Sequence, residues 1–285
     1  MKSLLLSGFR RVILRRFVTI AVLILSFSGT ARGEENNLFN SLTAIRYEAF
    51  RFGVEAAEVT TTPIDTDGYG LIGTLATVGA VGLTYVFDND IREKVRTIEG
   101  HEVDKAADAG STLGNPFLHI GLAAVVYGGG ILADSPKYTE LGEMLGESVL
   151  LADATSFVLK QAIGRGRPFK TGDRGKFRPF KFSNDYDSMP SMHTASSFAM
   201  ASVLSAAADK LLEKIFYYAA ASFVGFSRMY KDKHWASDVV LGAAVGELCG
   251  RVVMRYHSDH GEERRLALVP AASSEGVSLA VVGNW

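Results

Sequence analysis

Three short stretches decide how this chain is read: Lys160-Gln-Ala-Ile-Gly-Arg165-Gly-Arg167-Pro168, then Pro190-Ser191-Met192-His193, then Ser227-Arg228-Met-Tyr-Lys-Asp-Lys-His234-Trp-Ala-Ser-Asp238. Each sits at the end of an apolar segment whose length suits a helix. Working outward, the apolar segments are Leu71 to Phe87, Pro116 to Ala133, Leu141 to Ile163, Ser191 to Lys210, Leu211 to Phe226 and His234 to Tyr256. Asn115-Pro116 and Pro190 open helices, because proline at the first helical position costs no hydrogen bond. The expected fold is therefore all-α, a bundle of about six core helices. Leu71 to Phe87 is uncharged and reads as a buried helix. Asp88 to Asn115 is polar, with a short amphipathic helix around Ile91 to Ala107.

The ends of the chain differ from this middle. Lys2, Arg10, Arg11, Arg15 and Arg16 precede the apolar run Phe17 to Phe27, and small residues follow at Ser28 to Ala31. That is the layout of a secretory signal peptide, so residues 1–33 are expected to be a leader. Residues 34–69 form an N-terminal segment, and residues 70–260 the helical domain. Residues 261–285 form a tail in which Leu266–Val269 and Val277–Val282 flank Ser273–Gly276, expected to be a short β-hairpin.

Composition narrows the function. The 285 residues carry a net charge of -1, so no global field selects nucleic acid. The apolar fraction of 47% and mean hydropathy of +0.13 fit a large interior or membrane contact equally. Cys249 is the only cysteine, which excludes an intramolecular disulfide. Asp153 and Glu247 lie within apolar runs and are costly in lipid. The expected location is outside the cytoplasm, periplasmic or membrane-associated, with a membrane-spanning arrangement left open.

The three stretches carry chemistry suited to a phosphate ester. Lys160 and Arg167 supply a point charge and a planar fork for phosphate oxygens; equally, basic residues at a helix C-terminus complement its dipole. Ser191 opens a helix, where free N–H groups and the dipole favour an anion, or where its hydroxyl caps the helix. His193 has a side chain able to protonate a leaving alkoxide. His234 and Asp238 stand at i and i+4 on one helical face, so the carboxylate can hold one ring nitrogen protonated and leave the other free to attack. Zinc ligation by His234 and Asp238 would need a further ligand, and no HExxH or cysteine set supplies one. A serine triad on Ser191 lacks the G-x-S-x-G elbow.

In order, the stretches read K-x6-R-P, P-S-x-H and S-R-x5-H-x3-D. This pattern resembles the type 2 phosphatidic acid phosphatase family, within the acid phosphatase and vanadium haloperoxidase superfamily. The resemblance covers about 80 residues directly. It implies that Lys160, Arg167 and Arg228 bind the phosphoryl oxygens, with Ser191 and the backbone N–H of Met192. It implies that His193 is the general acid, His234 the nucleophile forming a phosphohistidine, and Asp238 its orienting partner. Met192 stands where the family usually has glycine, which removes conformational freedom there but keeps the backbone donor.

The expected protein is a metal-independent phosphatase without cofactor. It would act on phosphomonoesters or on terminal phosphates of diphosphates, with a phosphorylated lipid favoured over a small phosphate ester. Alternatives are a vanadate-dependent haloperoxidase, or a non-enzymatic envelope protein with an anion-binding pocket. The loop Phe169 to Met189 interleaves Lys170, Arg174, Lys176, Arg178 and Lys181 with Phe169, Phe177, Phe180, Phe182 and Tyr186. It reads as a surface for anionic lipid headgroups or as a solvated loop; nucleic acid is not an expected partner.

Overall fold

The structure, a computed structural model, describes residues 37–66, 68–260, 267–273 and 276–282, with side chains over 48–66 and 68–259. The expected leader at residues 1–33 lies outside the described residues. The chain divides into two compact units, Met1–Thr62 with Tyr256–Trp285, and Pro63–Arg255.

The fold is predominantly helical. Among the described residues the helices are α1 (Asn37–Thr61), α2 (Gly70–Arg96), α3 (His101–Leu113), α4 (Pro116–Leu132), α5 (Pro136–Ile163), a single turn α6 (Pro168–Thr171), α7 (Met192–Ala207), α8 (Leu211–Tyr230) and α9 (Ala236–His260). In the tail, the backbones of β1 (Ala267–Ser273) and β2 (Gly276–Val282) pair antiparallel from Ala267↔Val282 to Ser273↔Gly276. Their turn and all the tail's side chains lie outside the described residues, and the helical class rests on the helices alone.

The six apolar segments all lie in helices, and local chemistry sets several ends. Asn115 caps α4, its side chain accepting from the Phe117 N–H at 2.9 Å with Pro116 following. Gly164 ends α5 in the left-handed region at φ 60, where a Cβ would collide with the Arg178 carbonyl. That close approach lets the loop after α5 fold back over the helix end.

α5 and α7 form the centre of the second unit. Leu145, Val149 and Ala152 of α5 are fully buried, as are Ala195, Ala199 and Val203 of α7. Leu145 and Val203 pack with Ala123 of α4, and Met144, Met200 and Met254 fill the edges. α9 comes unusually close to α7, because a side chain at Gly246 would meet the Ala195 carbonyl and one at Gly242 the Ser191 backbone. This approach brings the Ser191 N–H onto the Asp238 carbonyl at 2.9 Å. Two of the three motif stretches are thereby tied together by the main chain.

Two expectations are corrected. The polar stretch after Phe87 was expected as one short helix around Ile91 to Ala107, but α2 runs on to Arg96 and α3 starts afresh at His101. The break falls at Gly100, whose φ of 151 only glycine adopts without strain. The Leu71–Phe87 helix was expected to be buried. Instead none of its apolar window is buried, and Ile72, Leu75, Val78 and Leu83 are each more than 60% exposed. Among the described residues α2 alone is long and apolar enough to cross a membrane, while α3 and α4, bent by 57°, pass together as a broken span.

Candidate active site

The three motif stretches converge at one end of the helices of the second unit. Lys160 is in the last turn of α5, Arg167 in the following loop, His193 in the first turn of α7, and Arg228 in the last turn of α8. His234 lies two residues before the start of α9, and Asp238 lies in its first turn. The positive charges of Lys160, Arg167 and Arg228 all act on His193, and those of Lys160 and Arg167 act on His234.

His234 is buried and has a defined tautomer. Its Nδ1 lies 2.7 Å from the Ser188 carbonyl oxygen, which can only accept, so Nδ1 carries the proton. The neutral ring then leaves Nε2 as a bare lone pair. Asp238 Oδ2 stands 3.6 Å from Nδ1, an ion-pair distance beyond a direct hydrogen bond. Thus the carbonyl of Ser188 makes the orienting hydrogen bond, and Asp238 supplies charge behind it. Burial pushes the His234 ring down to about 3 against the pull of Asp238, with Lys160 and Arg167 adding to the fall. The ring is therefore neutral at physiological pH.

Asp238 is completely enclosed. Its Oδ1 accepts from Arg165 Nη1 at 2.6 Å, and its Oδ2 from the Trp235 N–H at 2.9 Å and from the Ser188 hydroxyl. Burial would raise its carboxyl, but the neighbouring His234, Arg165 and Ser188 hold it below the ordinary carboxylate value. Behind it lies a second carboxylate, Asp88 of α2, which accepts from Arg165 Nη2 at 2.7 Å, from Ser237 N–H at 2.9 Å and from Ser237 Oγ at 2.6 Å. Arg165 is fully buried between the two acids, its guanidinium 4.9 Å from the Tyr85 ring centre and 5.3 Å from that of Trp235.

The cations are held by oxygen acceptors. Arg167 forks onto Asp187 through Nε at 2.6 Å and Nη2 at 2.9 Å, and Lys160 Nζ donates to the Asp187 carbonyl. Burial lowers Lys160 to about 8, with Asp187 opposing the fall, and lowers Arg228 to about 10. Arg228 Nη1 donates to Ser111 Oγ at 3.0 Å, but its buried Nε has no hydrogen-bond partner among the described residues. Such an orphaned donor is uncommon and suits an anion arriving at the cluster. Burial first, and then the charges of Arg228, His234, Lys160 and Arg167, push His193 down to about 3.

Ser191 is fully buried and does not cap α7 with its side chain; its Oγ accepts from Thr194 Oγ1 at 2.9 Å. Its hydroxyl proton stays available to another acceptor. Met192 begins α7 and is half-buried, with its N–H unclaimed by the helix as a first-turn donor. A cleft of about 600 Å³ lies beside the Tyr230–Lys233 turn, lined by Val95, Asp104, Asp108 and Asp232 among others. Arg96, Lys231 and Lys233 line it as well, so its charge is mixed, and its lining includes none of Lys160, Arg167, His193, Arg228 and His234.

Asp88, Asp187, Ser188 and Ser237 carry no signal in sequence spacing. Asp88 lies 150 positions before Asp238, and only the packing of α2 against the start of α9 brings them together. A lone carboxylate closing an apolar run was the one available hint, since such groups are costly unless paired.

Residues 144–262 match the model of the PAP2 superfamily. A lipid A 1-phosphatase of Porphyromonas gingivalis is 36% identical over 114 residues, covering 36% of this chain and 23% of that protein. A lipid A 1-phosphatase of Rhizobium johnstonii is 30% identical over 108 residues, covering 37% of this chain and 43% of that protein. The chain thus spans less than half the length of the curated relatives it matches. Among solved structures it is similar to LpxE of Aquifex aeolicus, with TM-score 0.44 and 23% identity over 59% of this chain and 94% of that one. It is also similar to a transmembrane PAP2-type phosphatidylglycerolphosphate phosphatase of Bacillus subtilis, with TM-score 0.47 and 17% identity over 65% of this chain and 96% of that one.

Proposed function

We propose that the chain is a phosphatase that transfers a phosphoryl group from a lipid phosphate to His234 and then to water. The observation that carries this reading is His234 itself, neutral, with Nδ1 committed to the Ser188 carbonyl, and under the charges of Lys160 and Arg167. Nε2 attacks phosphorus, and the bond from phosphorus to the leaving oxygen breaks as the N–P bond forms. Lys160, Arg167 and Arg228, with Ser191 and the Met192 N–H, take the charge of the equatorial oxygens. His193 protonates the leaving alkoxide, then takes the proton from the water that cleaves the phosphohistidine. The named lipid substrates of the relatives and the exposed apolar helices favour a substrate held in a bilayer.

A metal is not part of this proposal. Both oxygens of Asp238, the carboxylate beside His234, are already occupied by donors, and Lys160 and Arg167 bring positive charge to the ring, which repels a metal ion. Activity is expected to survive EDTA in a phosphate-release assay. An absolute requirement for added zinc would overturn the scheme.

His193 is neutral in the empty site, yet the scheme needs its proton. Burial, the larger cause of the fall, remains when phosphate arrives, but the anion offsets the charges of Arg228, Lys160 and Arg167 and raises the ring from its value in the empty site. Binding of phosphate or tungstate between pH 6 and 7 is therefore expected to take up a proton. Affinity should fall as pH rises through the raised value. Calorimetry in buffers of different ionisation enthalpy reads this uptake directly, and His193→Ala should remove it. Loss of His193 is also expected to cost about 10²–10⁴-fold on alkyl phosphates and far less on aryl phosphates, whose leaving groups need no proton.

The most direct test is a phosphate-release screen on purified protein with phosphatidate, phosphatidylglycerol phosphate, lipid A, an isoprenyl diphosphate and an aryl phosphate. Preference for the aryl phosphate would overturn the lipid reading while leaving the phosphatase reading in place.

A further inference from the structure

We infer that the loop from Phe169 to Tyr186 is an interfacial anchor that seats in the headgroup layer of an anionic bilayer, with the rings of Phe180 and Phe182 entering the acyl boundary. This rests on the lipid-phosphatase reading and adds to it how the site meets its substrate.

The position of the loop along α2 is the first reason. The exposed apolar face of α2 runs from Leu71 to Phe87 and stops where Asp88 turns into the protein and Arg92 pairs with Asp232. That apolar length is about 25 Å, close to a hydrocarbon core. The loop is fastened at this very end: Arg174 Nη1 donates to the Tyr85 carbonyl at 3.0 Å and to that of Val86, and Phe177 lies 6.5 Å from the Tyr85 ring. A loop fixed where an apolar face ends sits at the level of headgroups if that face is in lipid.

The loop's own chemistry is the second reason. Phe180 and Phe182 are 67% and 71% exposed, and both hold positive φ values, 57 and 51, which bulky residues avoid. The backbone leading to them is nonetheless tied down, with Phe180 N–H on the Gln161 carbonyl and Arg178 N–H on the Gly164 carbonyl, each at 2.7 Å. The rings are thus presented to the exterior by a folded loop. Arg178 and Lys181 flank the Tyr186 ring at 4.9 and 4.6 Å, placing two cations beside the exposed phenylalanines. Apolar rings with adjoining cations match the acyl boundary and the anionic layer above it.

The third reason is the link to the chemistry. The far end of the loop holds Arg167, whose N–H donates to the Asp185 carbonyl at 3.0 Å and whose Nε donates to that of Asn184 at 2.9 Å. Seating the loop in headgroups therefore sets the phosphate-binding arginine at the depth of lipid phosphates.

The test uses the full chain reconstituted in nanodiscs of phosphatidylcholine with or without phosphatidylglycerol. An environment-sensitive fluorophore is placed at Phe182→Cys; the one native cysteine, Cys249, is buried, and the labelled parent chain serves as control. Blue-shifted emission, quenched by brominated acyl chains and stronger with phosphatidylglycerol, is expected. Emission typical of water in both discs, or a shift produced by an oligonucleotide instead of lipid, would overturn the anchor. In a second arm, Phe180→Ser with Phe182→Ser is expected to lower kcat/KM for phosphatidate in vesicles about tenfold and leave a soluble aryl phosphate unchanged. Unchanged turnover of phosphatidate, or equal loss on both substrates, would overturn the proposal. If the parent chain cleaves only the soluble ester, the lipid-substrate reading fails, and the fluorescence arm still decides the anchor separately.

Discussion

Replacing His234 with alanine is expected to abolish turnover, with kcat falling by roughly 10⁴-fold or more, because no other group can accept the phosphoryl. The tautomer explains why loss of the ring should be so severe. Nδ1 is held by the Ser188 carbonyl, so only Nε2 is free, and it stands beside cations that stabilise the incoming phosphoryl charge. Anion binding should persist in the variant, since Lys160, Arg167 and Arg228 remain. The distinguishing measurement is a rapid quench into base with labelled substrate, which preserves an N–P bond that acid destroys. The parent chain should carry label at His234 and the variant none. Normal turnover in the variant, or a label stable to acid, would sink the phosphohistidine mechanism.

Arg165→Met is expected to destabilise the protein by about 3–5 kcal/mol, the usual cost of removing one partner from a buried ion pair. Here the loss is shared by two carboxylates. Asp88 and Asp238 are both fully buried and both accept from the same guanidinium. Without it each would face the other's charge with only serine hydroxyls and backbone N–H groups as donors. Arg165→Lys should rescue little, because an ammonium cannot bridge two acids on opposite sides of a fork. Asp88→Asn should cost less, since the amide oxygen can still accept from Ser237. Thermal unfolding of the purified chain in detergent checks this order. Equal melting temperatures for the parent and Arg165→Met would show that the pair contributes nothing.

The eight candidate site residues stood out in the sequence because each belongs to a short local pattern. His234 and Asp238 share a helical face, Ser191 and His193 follow a helix-opening proline, and Lys160 and Arg167 straddle a helix end. The structure brings them to one end of the second unit, and their roles remain part of the proposal. The i, i+4 relation of His234 and Asp238 placed them on one face, but it could not say which acceptor takes the Nδ1 proton. That acceptor is a main-chain carbonyl, which every residue possesses and no pattern marks.

The helical class and the motif order were determined by sequence alone, because helix length, apolar spacing and proline positions act locally through the backbone. Two things were decided only by tertiary structure. Asp88 reaches Arg165 across 77 positions, since ion pairing depends on distance in space and leaves no periodic trace in the chain. The exposure of α2 is the other. An apolar run has the same sequence whether protein or lipid covers it, and only the packing of the remaining helices leaves Leu75, Val78 and Leu83 facing outward.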